Sequence, residues 1–241
     1  MKVPKRRLLG QHMLRDGRIL EKLIEVAGIS QNETVYEAGT GDGTLTYELC
    51  KRAKSVVSFE IDHELYKKSS RLLPAFPNLK LINADLFRFP YFMFDVFISN
   101  LPYSRSRDAL QWLALQKFTR AILTVQREFA DKLQASPGDE NYRAVTVITQ
   151  YCFSIEHLFH VPKGSFAPHL NVESTVIRLV PKTPRIAITR ATIKNVNLLF
   201  SSRNRTLPSV LKKHDCKINF DSKERIGELL PTPLITLAES I

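Results

Sequence analysis

The chain has 241 residues, 44% hydrophobic and 24% charged, a balance that excludes disordered and fibrous classes. That length holds one α/β domain of about 180 residues plus a small appendage. The net charge of +11 asks for an anionic partner. Its placement is more telling than its size. Residues 1–19 carry six Lys/Arg against one Asp, and residues 182–241 carry eleven against five Asp/Glu; the 162 residues between carry eighteen of each. A neutral body with basic flanks is the pattern of a catalytic domain held on a polyanion by its ends. The longest apolar stretch, 89–99, contains Pro90 and Asp95 and falls short of the roughly 18 apolar residues of a membrane helix. The basic segment 1–10 lacks the apolar centre of a signal peptide, so no membrane association is expected. Cys50, Cys152 and Cys216 are odd in number and lack metal-ligand spacing, as do His63, His157, His160 and His169. No disulfide scaffold and no metal site are expected, and the reducing cytoplasm is the expected compartment.

Along the chain, residues 17–27 place Ile19, Leu20, Leu23, Ile24 and Ala27 on one helical face before a Gly28 stop. A short strand over 34–38 enters a glycine turn, followed by a helix over 45–53 and a buried strand over 55–60. A helix over 64–73 ends before Pro74, because proline disfavours helix in the preceding residue. Strands are predicted over 79–85, 95–100, 120–126, 144–153 and 174–180, with helices over 107–117 and 128–135 and a strand hairpin within 150–160. Strands alternating with helices at this spacing predict βαβ units and a mainly parallel sheet, with an antiparallel edge where the last strands lack an intervening helix. Residues 181–184, Pro-Lys-Thr-Pro, read as a linker to a small, basic, helical module.

Two motifs carry chemistry. The first, Glu37-Ala-Gly39-Thr-Gly41-Asp-Gly43, follows a strand and opens a helix, where glycines let the backbone approach a ligand. Glu60 stands about 20 residues on, at the end of the next strand, where a carboxylate accepts from two ribose hydroxyls. The spacing differs from the G-x-G-x-x-G of dinucleotide sites. It suits a ligand with a ribose and a cationic amino acid, namely S-adenosylmethionine. Asp85, ending the third strand, reads either as acceptor for the cofactor's adenine amine or as an N-cap for the residues after it.

The second motif is Asn100-Leu-Pro-Tyr103, at the C-terminal end of the fourth strand, the edge where doubly wound sheets bind ligands. Asn100 offers an amide oxygen to an exocyclic amine. Pro102 stiffens the turn and leaves the Leu101 carbonyl as a second acceptor. Tyr103 supplies a face for stacking a flipped base. Two acceptors around an aryl amine aim its lone pair at an electrophile, which is catalysis by positioning.

With these motifs in place the sequence resembles, over essentially its whole length, the ribosomal RNA adenine dimethyltransferases of the KsgA type. The resemblance runs through residues 10–14, 37–46, 59–62, 83–85, 100–103, 125–133, 136–138, 166–168, 172–176 and 203–207. It implies a Rossmann-like S-adenosylmethionine-dependent methyltransferase domain over 1–181 and a small helical domain over 182–241. It further implies that His12, Leu14, Gly39, Gly41, Glu60, Asp85 and Asn100 line the cofactor site, and that Tyr103 and Phe166 contact the target adenine. The implied activity is dimethylation of two adjacent adenines near the 3′ end of small-subunit ribosomal RNA. The expected setting is a monomer acting on a pre-ribosomal particle in the cytoplasm. The rivals are a large-subunit methyltransferase of the macrolide-resistance type and a non-catalytic assembly or transcription factor on the same fold. One departure stands out: Ser104-Arg-Ser-Arg107 follows the second motif, and Arg105 replaces an expected aliphatic residue, a position from which it could contact a phosphate.

Overall fold

The computed structural model describes residues 12–73, 76–90, 92–184, 186–213 and 223–241. Gly10, the helix stop at Pro74, the basic segment 1–11 and Cys216 lie outside these residues. In chain order the elements are β1 (Met13–Leu14), α1 (Gly17–Ala27), β2 (Thr34–Ala38), α2 (Thr44–Cys50), β3 (Ser55–Phe59), α3 (His63–Leu72) and β4 (Leu79–Ile82). There follow β5 (Val96–Ser99), α4 (Ser106–Leu113), β6 (Arg120–Gln126), α5 (Arg127–Leu133), α6 (Ala144–Cys152), β7 (Phe153–Val161), β8 (Phe166–Ala167) and β9 (Ser174–Pro181). Helices α7 (Arg190–Phe200), α8 (Leu207–Lys213) and α9 (Pro231–Glu239) complete the set. No helix among the described residues is long and apolar enough to cross a membrane.

Seven strands form one sheet in the order β4-β3-β2-β5-β6-β9-β7. The first five are mutually parallel, while β9 runs antiparallel to both of its neighbours, β6 and β7. The chain moves outward from β2 to β4 and then returns to lay β5 on the other side of β2. That reversal opens a crevice at the C-terminal ends of β2 and β5, the switch point at which such sheets bind ligands. Both motifs end there.

Alternation along the strands sends side chains to two apolar layers. Val96 and Ile98 of β5 join Leu23, Ile24 and Leu49 on one face, while Phe97 joins Phe94, Trp112 and Phe118 on the other. Phe94 stacks on Trp112 and on Phe118, with ring centroids 5.9 and 5.7 Å apart. The Gly28 stop acts as read, ending α1 with φ 55°, and at the other end the Asp16 side chain accepts from the Arg18 N–H.

One predicted strand is a helix. Residues 144–152 are rich in β-branched and apolar side chains, and a run apolar on every side has no periodicity to separate strand from helix. Packing decides it. α6 lies between the sheet layer and α7 and α9, with Ala144 to Thr149 all buried. The Thr146 hydroxyl oxygen accepts from the Arg143 N–H, and the Thr149 hydroxyl donates to the Val145 carbonyl, so neither polar group is stranded in the core. The strand resumes only at Phe153. Leu199, Phe200, Leu234 and Leu237 of the C-terminal helices belong to the same apolar cluster as Phe97 and Trp112.

Candidate active site

At the switch point a cavity of about 230 Å³ is lined by His12, Leu14, Gly39, Gly41, Glu60, Asp85, Asn100, Leu101 and Pro102, with Ile61, Leu86, Phe87 and Arg105 between them. All seven residues expected around the cofactor therefore meet in one place. The glycine turn lines the cavity in a tight left-handed path. A Cβ on Gly41, at φ 59°, would stand 2.9 Å from the Met13 sulfur, and one on Gly43, at φ 84°, 2.8 Å from a Leu73 methyl. Both positions hold a left-handed conformation that side chains strain, and a Cβ there would also push on the neighbouring side chains.

The turn's donors are spent internally. The N–H groups of Gly39 and Thr40 donate to the Phe59 carbonyl, that of Gly43 to the Thr40 carbonyl, and that of Gly41 to Glu60 Oε2 at 2.8 Å. A phosphate-binding loop aims such groups at its anion. Glu60 is buried, and its other oxygen accepts from the Asp62 N–H at 2.8 Å. Burial raises its pKa, opposed by these backbone hydrogen bonds. Each carboxylate oxygen keeps a further lone pair for a ribose hydroxyl. Beneath the turn, Glu37 Oε2 accepts from Thr46 and Ser58 hydroxyls at 2.6 Å, and Thr40 joins Ser58. Carboxylates at Glu60 and Asp85, an amide at Asn100 and apolar walls fit S-adenosylmethionine.

The target side is built by β5 and its loop. The Ser99 hydroxyl donates to the Ala38 carbonyl at 2.6 Å and locks the ends of β5 and β2 together. The Asn100 amide nitrogen points to the His12 carbonyl at 3.5 Å, a long contact that leaves Oδ1 as the acceptor. His12 Nδ1 in turn meets the Pro168 carbonyl at 2.9 Å. β1 pairs with β8, Leu14 opposite Phe166, which brings chain segments some 150 residues apart to one wall.

The two aromatic residues differ in burial. Phe166 is 2% exposed within the second apolar cluster and does not line the cavity. Tyr103 is half-buried against the same cluster, and its hydroxyl is bonded to Ser174 at the start of β9. Phe166 packs into the sheet, while Tyr103 stays partly exposed beside the Asn100 turn. Arg105 Nη2 lies 3.0 Å from each oxygen of Asp85. Asp85 meanwhile caps the turn after β4, accepting from the Phe87 N–H at 3.1 Å. Nothing in the sequence signalled the Arg105–Asp85 pair, since the two are twenty residues apart on different elements.

A family model described as ribosomal RNA adenine dimethylase matches residues 3–228. The chain belongs to that family. It is 37% identical over 233 residues to a probable ribosomal RNA small subunit methyltransferase A of Pyrobaculum aerophilum, covering 97% of each chain. It is 34% identical to ribosomal RNA small subunit methyltransferase A of Alkaliphilus oremlandii, covering 87% of this chain and 78% of that relative. Among solved structures, a dimethyladenosine transferase from Plasmodium falciparum superposes with a TM-score of 0.77 at 25% identity, covering 94% of this chain and 96% of the other. The 23S rRNA methyltransferase ErmE superposes with a TM-score of 0.63 at 25% identity, covering 95% and 98%. As a member of this family the chain is an S-adenosylmethionine-dependent methyltransferase with a Rossmann-like fold. The cofactor, when bound, supplies an activated methyl group carried on a cationic sulfur.

Glu60 is the family member's best single test of cofactor placement. Glu60→Ala is expected to weaken S-adenosylmethionine binding by about 1.5–3 kcal/mol, the range for losing a charge-assisted acceptor. Titration calorimetry reads this directly, and an unchanged affinity would remove Glu60 from the ribose end.

Proposed function

We propose that this protein dimethylates the exocyclic amine of two adjacent adenines near the 3′ end of small-subunit ribosomal RNA, acting as a monomer on a pre-ribosomal particle in the cytoplasm. The observation that carries the reading is the Asn100 amide, whose nitrogen faces His12 and whose oxygen is left for the target at the edge of a cavity holding Glu60 and Asp85. In this reading Glu60 takes the ribose, Asp85 the adenine amine of the cofactor, and Gly39, Gly41, His12 and Leu14 shape the wall. Asn100 Oδ1 and the Leu101 carbonyl accept the two protons of the target amine, and Pro102 holds the turn. The lone pair of the amine then points into the cavity with no general base required. Tyr103, next in the chain and partly exposed, stacks on the base, with Phe166 behind it.

The test is incubation with labelled cofactor and undermethylated small subunits, with modified bases mapped by primer extension. Adjacent dimethylated adenines near the 3′ end are expected. The structural likeness to a 23S rRNA methyltransferase makes large subunits the informative second arm. Methylation there alone would favour the macrolide-resistance type of activity.

The basic flank is proposed to carry RNA affinity. Because α7 and α9 share a core with α6, deleting 182–241 would open that core, so charge replacement is the cleaner probe. Lys194, Arg205, Lys212 and Lys223 are exposed. Replacing all four with Gln is expected to leave cofactor binding intact and to flatten the plot of log RNA affinity against log salt. Each lost phosphate contact reduces that slope by roughly 0.7–0.9, and about two to four contacts are expected to go. An unchanged slope would move the RNA contact to the N-terminal segment or the neutral body.

A further inference from the structure

Arg105 occupies the adenine end of the cavity in a way the established chemistry of the site does not require. Its Nη2 contacts both oxygens of Asp85, and its guanidinium carbon lies 5.1 Å from the centre of the Phe87 ring. The Arg105 side chain is 31% exposed and that of Asp85 13%, so the pair sits at the rim and not in the core. Asp85 is already heavily used. Its Oδ1 accepts from the Phe87 N–H, and Arg88 Nε approaches Oδ2 at 3.7 Å from the solvent side. A carboxylate has about four acceptor positions, so an arriving amine must displace the guanidinium or share its oxygens. A second anion is within reach of the same side chain: Asp108 Oδ2, in the first turn of α4, lies 3.2 Å from Arg105 Nε and is the more exposed of the two carboxylates. The guanidinium can leave Asp85 without losing a counter-charge.

We propose that Arg105 sets cofactor affinity by competing with the adenine amine for Asp85, withdrawing to Asp108 when the amine takes the carboxylate. The proposal rests on the reading of Asp85 as the adenine acceptor. Arg105 is thus an affinity-setting residue that acts through Asp85 and takes no part in methyl transfer. An ion pair this exposed competes by a small margin, about two- to fivefold in affinity.

The experiment is calorimetric titration of S-adenosylhomocysteine into the full chain, its R105M, D85N and R105M/D85N variants, at low and high salt. R105M keeps an unbranched side chain while removing the guanidinium that lies over Phe87 and against Asp85, and is expected to bind about two- to fivefold tighter than the parent. In the D85N background the same replacement is expected to change nothing, because the contested carboxylate is gone. The parent is expected to bind more tightly as salt screens the pair, and R105M to show no such trend. R105K, which keeps the charge but lacks the planar fork, should fall between. If R105M folds poorly, R105K and the salt trend of the parent decide the matter alone. Equal or weaker binding by R105M, or a gain that persists in D85N, would overturn the proposal, as would a D85N protein that binds like the parent. Failure of the proposed rRNA activity is separable. A protein that binds S-adenosylhomocysteine normally but leaves small subunits unmethylated refutes that activity and leaves the Arg105 comparison standing.

Discussion

Asn100→Ala is expected to lower methyl transfer at saturating cofactor by roughly two orders of magnitude or more, the loss seen when one positioned donor or acceptor is removed from a reacting centre. The structure explains why the loss should fall on turnover. The Asn100 amide nitrogen faces the His12 carbonyl at 3.5 Å, which leaves its oxygen toward the cavity. Alanine removes the acceptor and leaves the backbone carbonyl of Leu101 as the only partner from this turn. Affinity for RNA should barely change, because phosphate contacts dominate that affinity and are assigned to the basic flank. Asn100 also lines the cofactor cavity, so calorimetry of the variant must accompany the rates. Equal rates for variant and parent at saturating cofactor would refute positioning by Asn100.

The second large effect is on stability against pH and comes from Glu37. This side chain is fully buried beneath the glycine turn, and its pKa is pushed up to about 8, first by burial and then by the charges of Glu60 and Asp42, against hydrogen bonds from Ser58 and Thr46. The ordinary value is 4.5. Between pH 4.5 and about 8 the folded chain therefore keeps a proton that the unfolded chain has released. Stability then falls as pH rises, since the slope follows the unfolded minus the folded proton count. At its steepest this group contributes about 1.4 kcal/mol per pH unit. The contribution is fully present below the unfolded pKa and is lost through the folded one. Glu37→Gln, neutral at every pH and able to accept from both hydroxyls, is expected to flatten the curve over that window. Urea unfolding at a series of pH values gives the comparison, and parallel curves for parent and variant would show that Glu37 is ionised in the folded state.

The two clusters of function differ in how far they could be read before folding. Glu60, Asp85 and the glycines were legible because each sits at a strand end, and a parallel sheet delivers all its strand ends to one edge. Spacing along the chain is then enough to predict that they meet. Residues 144–152 differ for the opposite reason, since burial of nearly every side chain erases the alternation that separates helix from strand. Phe166 and Tyr103 show a related limit. Motif position marks them as aromatic neighbours of the site, yet whether a ring faces the cavity or the core depends on what packs behind it.

By itself the sequence determined the parallel βαβ order and the glycine turn, because these depend on local conformation and on periodicity within single elements. It also determined the charge division between neutral body and basic flanks, which is a matter of counting. Only the tertiary structure decided the helical state of residues 144–152, the joining of the C-terminal helices to the main core, the burial of Phe166 and the pairing of Arg105 with Asp85. Each of these is a contact between elements distant in the chain, and its free energy comes from burial and charge pairing that no segment possesses alone.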